Sequence, residues 1–589
     1  MEFRKDINGL RAIAVLPVLL FHAQVPSFSG GFLGVDVFFV ISGFLITSLI
    51  LKDLNQKQFS LLSFYNRRAR RILPALFFTC LITSCFAFFF MLPYDLRNYG
   101  QSLFATTLSA NNILLYLTSG YWNLAAEFKP LYHTWSLAIE EQYYFIIPIL
   151  LLLVYKEIKP AFKTTLFIIA ILFLISFYFS FSSTNKELNF LMIGHRMWEL
   201  LAGSICALLL PTIRLRSNFL ALIGLLGIVF SYLSPYAISN NQAVYTLIPV
   251  VGSMMIILFS SNQLALGKFL SIKPLSFIGL TSYSIYLLHM PLLAFLRLST
   301  EGQASINAQL IAVFMAIPLA YISWRFIEKP FKDQHAINNK LFFTIIFSCA
   351  FLFLTVGYTL HKTYGLQTLN HTYNSSSNFQ QYIEAPRKLI RQRFTNPDNK
   401  NLLVIGNSFA RDVINMLTEN QIQQDYEIIY QESFDINSLS PLIDSADVIL
   451  ITSSHNLSNN LYPDSVRSKS SFLYQKLQAT GHKNYYLIGT KNFGFNNNFI
   501  VRKSKSEAKS YYVKPNQTAI TFNQIEASIW QGRYIDIFSV LLNEEQKVPI
   551  FTDSQKLISF DTNHLTPDGA TYVGSLLLKN SKLSKVLEN

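Results

Sequence analysis

A chain of 589 residues that is 51% hydrophobic and only 14% charged is too long and too apolar for one soluble domain. Its formal charge of +14 does not point to nucleic acid, because the excess is localised: residues 1–361 hold 25 Lys/Arg against 14 Asp/Glu, whereas the remainder holds 23 against 20. All four cysteines, Cys80, Cys85, Cys206 and Cys349, fall in apolar stretches, so the polar remainder has no disulfide framework.

In chain order, eleven apolar stretches predict helices near residues 9–27, 33–51, 74–92, 136–155, 164–183, 191–210, 218–233, 244–260, 279–298, 307–326 and 341–360. Each is close to the about 20 residues that cross a bilayer. Basic loops alternate with nearly bare ones: Arg67, Arg68, Arg70 and Arg71 follow the second stretch, and Lys329, Lys332 and Lys340 follow the tenth. By the positive-inside rule the N-terminus is cytoplasmic, and an odd number of crossings places the C-terminal part outside the inner membrane. So many later spans argue against a cleavable signal peptide at the first.

Charged groups in hydrocarbon cost roughly 2.5–3.5 kcal/mol each on insertion scales, so they face a bundle interior or a watery cavity. In the first stretch Arg11 and His22 are separated by ten residues. Eleven helical steps rise about 16 Å and turn three times plus about 20°, so both lie on one face at different depths. The arginines of FYNRRARRILP belong to the cytoplasmic side. His22, Asp36, His133, Glu140, Glu141, His195, Arg196 and Glu199 converge toward the outer half, and His289 lies near the middle of the ninth stretch.

Past residue 361 the chain becomes Asn-, Ser- and Gln-rich, a polar linker over 363–399. From 400 to 589, NLLVI, YEIIY, DVILIT and NYYLIG are strand candidates alternating with helical segments such as FARDVINMLTEN, which predicts a parallel α/β sheet. NLLVIGNSFARD reads as strand, tight turn and helix, with Ser408 at the turn. Asp561 and His564 are three apart in DTNHLTPDGATY near the end.

RAIAVLPVLLFH, GGFLGVDVFFVISGFLIT, FYNRRARRILP, PLYHTWSLAIEEQYYF and FIEKP, in that order, resemble the acyltransferase-3 family of integral-membrane O-acyltransferases. The resemblance covers about residues 5–335. It implies a ten-helix membrane domain over 1–335, to which an eleventh spanning helix, 336–362, is added. It also implies transfer of acyl groups, usually acetyl, from cytoplasmic acyl-coenzyme A. Arg11, Arg68 and Arg71 would then grip the phosphates. His22 would meet the thioester as general base or transient acyl acceptor. Glu140 and Glu141 would orient it or take its proton.

Ser408 first and Asp561-x-x-His564 last resemble the SGNH hydrolase family, of three-layer α/β fold. The resemblance implies Ser408 as nucleophile, His564 as its base and Asp561 as the group orienting the base. The usual Gly-Asp-Ser reads Gly-Asn-Ser here. The Ser408 amide and Asn456 are the oxyanion candidates, and His455 is an ordinary loop residue. The fusion of both families resembles bacterial O-acetyltransferases of surface polysaccharides such as lipopolysaccharide O-antigen. The expected partners are acetyl-coenzyme A, a surface glycan or lipid-linked oligosaccharide, and the bilayer. No metal is expected, since no Cys/His cluster has ligand spacing. Peptidoglycan is the alternative acceptor. The rival readings are an exported carbohydrate esterase on a membrane anchor, and a glycolipid transporter or flippase.

Overall fold

The computed structural model describes residues 4–118, 126–157, 161–234, 241–366, 379–396, 398–452, 463–503 and 511–588. They form two compact bodies. The first gathers Met1–Phe88, Asn98–Arg297 and Ala304–Lys362; the second gathers Phe89–Arg97, Leu298–Gln303 and Thr363–Asn589.

In the first body every apolar stretch is helical. The helices are α1 Lys5–His22, α2 Gly34–Asn55, α3 Leu61–Phe90, α4 Thr134–Glu157, α5 Ala161–Ser182, α6 Ile193–Leu209, α7 Asn218–Leu233, α8 Gln242–Phe259, α9 Lys273–Leu298, α10 Ile306–Ser323 and α11 Asn339–Lys362. Among the described residues, eight helical segments are long and apolar enough to cross a membrane by length and composition. The exceptions are α6 and α7, which are shorter, and α1, which carries Lys5, Asp6 and Arg11. The chain is therefore a multi-pass membrane protein.

The first helix departs most from its expected bounds. It stops at His22 because Ala23 leaves helical geometry, Gln24 takes a φ of +58° and Pro26 opens a 3-10 turn. His22 thus ends the helix instead of sitting inside it. Two further helices, Pro93–Thr107 and Asn111–Leu117, escaped the periodicity reading because neither carries a long apolar run.

Small residues let α2 and α6 meet backbone to backbone. A Cβ on Gly43 would lie 1.8 Å from the Leu200 carbonyl oxygen, and one on Gly203 would lie 2.0 Å from that of Val40. This crossing brings Asp36 of α2 to Arg196 and Glu199 of α6, at 3.2 and 2.9 Å from the Arg196 Nη1, with all three side chains buried. The guanidinium also lies over the rings of Phe39 and Trp135. Removing one member would strand a buried charge, so this cluster holds the helices together.

The second body contains a parallel five-stranded sheet: β1 Lys400–Ile405, β2 Tyr426–Gln431, β3 Val448–Thr452, β4 Tyr485–Ile488 and β5 Tyr534–Ile535, in the order β2-β1-β3-β4-β5. The first four are the expected strands. The two-residue β5, and a two-stranded antiparallel pair Tyr512–Val513 with Val548–Pro549, were too short to read. Helices α12 Ser408–Glu419, α13 Pro463–Ala479, α14 Gln517–Trp530 and α15 Pro567–Asn580 complete the alternation.

The stretch read as a linker has structure in its described part. Phe379–Glu384 is helical, and the buried Phe379 ring meets Phe560 edge-on at 5.0 Å. Within the same body Asn498 donates to Asp95 Oδ2 at 2.6 Å and accepts from the Leu92 amide at 2.7 Å, while Asn496 donates to the Thr300 carbonyl at 2.8 Å.

Candidate active site

In the membrane bundle the predicted residues sort into two adjoining chambers. The first is a narrow pocket of about 80 Å³ that brings together Arg11, Arg68, Arg71, Glu140 and Glu141. The arginine run divides: Arg68 and Arg71 line the pocket. Arg67 is instead bound to Asp53 at 2.8 Å, and Arg70 to Asn339 and the Phe331 carbonyl. The Glu140 carboxylate accepts from Ser42 and from Tyr144, each at 2.9 Å.

The second chamber, of about 590 Å³, contains His22, His133, Trp135, Phe190, Tyr245 and Arg297, and shares Val35 and Tyr286 with the first. His22 Nδ1 lies 3.1 Å from His289 Nε2, and His289 Nδ1 lies 2.6 Å from the Tyr286 carbonyl oxygen. A carbonyl oxygen only accepts, so His289 carries its proton on Nδ1 and donates it there. Its Nε2 then accepts from His22 Nδ1–H, which leaves the lone pair of His22 on Nε2. Arg297 fixes the main chain of the same residue: it donates to the His22 carbonyl and is itself held by Gln309 at 2.6 Å.

Two expectations are corrected by this geometry. Glu140 and Glu141 line the arginine chamber, and the partner that orients the His22 ring is His289. Asp36, Arg196 and Glu199 form ion pairs with one another and line neither chamber. His195 packs on Phe179 at 6.0 Å, also outside both. No local pattern links His22 to His289, which are 267 residues apart.

In the α/β body, β1 delivers Ser408 to the first turn of α12 through Gly406, whose φ is +152° and where a Cβ would meet Thr452 Oγ1 at 2.1 Å. Asn407, the departure from Gly-Asp-Ser, caps the helix by accepting from the Phe409 amide at 3.0 Å. The Phe409 ring stacks on His564 at 6.0 Å, and Asp412 accepts from the Leu565 amide at 3.3 Å. The serine helix is thus seated against the loop bearing the other two residues. His564 Nδ1 lies 2.7 Å from Asp561 Oδ2, while Asp561 Oδ1 accepts from the amides of Asn563 and His564.

Burial alone would raise the Asp561 carboxyl and lower the His564 ring. The charge of each on the other, with their hydrogen bonds, reverses both effects: Asp561 is lowered to about 2 and His564 is raised above its ordinary value. Sequence reasoning missed Lys491, which is buried and pairs with Asp412 at 2.7 Å while lying 4.4 Å from the centre of the Phe409 ring. The only available signal was Asp412 itself, four residues after Ser408 on one helical face. His455 and Asn456 lie outside the described residues.

The bond from Asp561 to His564 predicts a pH effect. The ring becomes a base only above its raised pKa, so the acid limb of any Ser408-dependent turnover is expected above pH 6.5. Asp561→Asn should move that limb downward and lower kcat. Hydrolysis of a small aryl acetate by the full chain in detergent, measured from pH 5 to 9, checks both.

A multi-pass helical bundle with an arginine chamber beside a histidine chamber, followed by an α/β body, defines the class. Residues 4–325 match the acyltransferase-3 family model, described as an acyltransferase domain, and the chain belongs to that family. It is similar to O-acetyltransferase OatA of Staphylococcus aureus (strain NCTC 8325 / PS 47), 32% identical over 349 residues. That match covers 56% of this chain and 58% of the relative. It is also similar to SAS0844 of strain MSSA476, which likewise carries an O-acetyltransferase name, at 31% over 360 residues, 57% of this chain and 58% of the relative. The chain thus spans less than two thirds of the length of these relatives.

Proposed function

We propose that this chain is an inner-membrane O-acetyltransferase. It takes an acetyl group from cytoplasmic acyl-coenzyme A and delivers it to a hydroxyl of a surface glycan outside, lipopolysaccharide O-antigen foremost. The supporting observation is the adjacency of the two chambers: cations for an anionic donor on one side, and on the other a histidine whose Nδ1 is engaged by His289. In this reading His22 removes the acceptor proton as the hydroxyl attacks the thioester, and coenzyme A leaves as the thiol. The family and the names of the relatives support acetyl transfer, and the basic loops support a cytoplasmic N-terminus.

The α/β body fits an SGNH-like role in which Ser408 relays the acetyl group to the sugar. Mass spectrometry of surface glycans from a deletion strain complemented with wild type, His22→Ala or Ser408→Ala tests the scheme. Loss of acetyl esters in both variants is expected for relay. Loss only in His22→Ala means direct transfer, and retention in His22→Ala refutes the proposal.

A further inference from the structure

The FIEKP stretch has no part in the reaction so far, yet its Glu328 and Lys329 line a cleft that shares Arg11 and Arg71 with the arginine chamber. Trp324–Glu328 form a π-helical turn between α10 and the short helix Lys329–Lys332. Single π turns within helices are frequent at functional sites. Here the turn borders a cleft of about 640 Å³ whose cations are Arg4, Arg11, Arg71, Lys329 and Lys332. Arg11 and Arg71 also line the narrow chamber, so the cleft and that chamber adjoin.

Size and charge divide the labour between them. The narrow chamber, about 80 Å³, has room for a few waters or a slender chain. It cannot hold a nucleotide bearing three phosphate groups. The cleft, at about 640 Å³, is the larger of the two. Arg4 is committed to Asp6 at 2.6 Å, and Glu328 accepts from Ser284 at 3.3 Å. Four further cations therefore face the two acids Glu328 and Asp333. Lys329 also lies over the Trp324 ring at 5.9 Å.

We infer that this cleft binds the phosphorylated nucleotide end of the acyl-coenzyme A donor, with Lys329 and Lys332 as phosphate-binding residues. Arg11 and Arg71 stand at the neck where the pantetheine arm enters the bundle. Arg68, absent from the cleft lining, serves the arm and not the nucleotide. The inference rests on the acyl-coenzyme A reading above.

The test compares two donors in inverted membrane vesicles, following thiol release from acetyl-coenzyme A and from S-acetylpantetheine, which lacks the nucleotide and its phosphates. K329Q/K332Q is expected to raise the KM for acetyl-coenzyme A at least tenfold with kcat within twofold, and to leave the KM for S-acetylpantetheine within twofold. K329R/K332R, which keeps both charges, should restore the acetyl-coenzyme A value. An equal rise for both donors, or none for acetyl-coenzyme A, overturns the assignment. Failure of the underlying reaction reads differently: wild-type vesicles would release no more thiol than His22→Ala vesicles, and both readings would fall together.

Discussion

His22→Ala is expected to lower acetyl transfer by about 10²–10⁴-fold, the usual worth of a positioned general base, while the protein remains as abundant in the membrane as wild type. The expectation of intact folding comes from what the side chain touches. His22 is the last residue of α1 and is only half-buried; its ring bonds to His289, and its main-chain carbonyl is what Arg297 holds. Alanine keeps that carbonyl and the helix end, and removes only the ring. Thiol release from acetyl-coenzyme A in inverted vesicles, normalised to immunoblotted protein, measures the effect. Wild-type turnover would remove the residue from the mechanism.

His289→Ala is the second large effect, expected at about 10²-fold or more. Without His289 the His22 ring loses the acceptor that keeps its proton on Nδ1, and the lone pair is no longer confined to Nε2. A wrong tautomer in a comparable dyad costs up to about 10⁴-fold. His289→Gln should recover activity to within about tenfold of wild type, because a glutamine Oε1 can accept from His22 Nδ1–H as the imidazole Nε2 does. A purely packing role for His289 predicts the reverse order, since Gln introduces polar atoms that Ala does not. Single-turnover rates for the three proteins decide between the two.

What could be read from the chain alone follows the range of each interaction. Helix positions and the first four strands rest on local periodicity, so all eleven apolar stretches and the sheet core were visible. The division of Arg67, Arg68, Arg70 and Arg71 does not follow from spacing, because it depends on Asp53, Asn339 and the Phe331 carbonyl. Nor do the partners of His22. HTWSLAIEEQYY suggested Glu140 and Glu141, yet seven residues of helix carry Glu140 about 10 Å from His133 along the axis, into the neighbouring chamber. The true partner comes from α9, beyond any spacing argument. The cluster of Asp36, Arg196 and Glu199 was hidden for the same reason, because it depends on Gly43 and Gly203 letting α2 and α6 touch. Lys491 was hidden too: a lysine among asparagines gives no hint that it is buried against the Phe409 ring.

The second body's discontinuity in the chain bears on how it can be handled. A fragment cut at Thr363 looks like the natural soluble piece, yet it discards Asp95, Leu92 and Thr300, which satisfy the buried amides of Asn496 and Asn498. Each stranded polar group costs about 1–3 kcal/mol, so such a truncation begins with a deficit comparable to a large share of an ordinary domain's stability. A workable excision would graft Phe89–Arg97 and Leu298–Gln303 back on as splints, or replace those asparagines with apolar residues of similar volume.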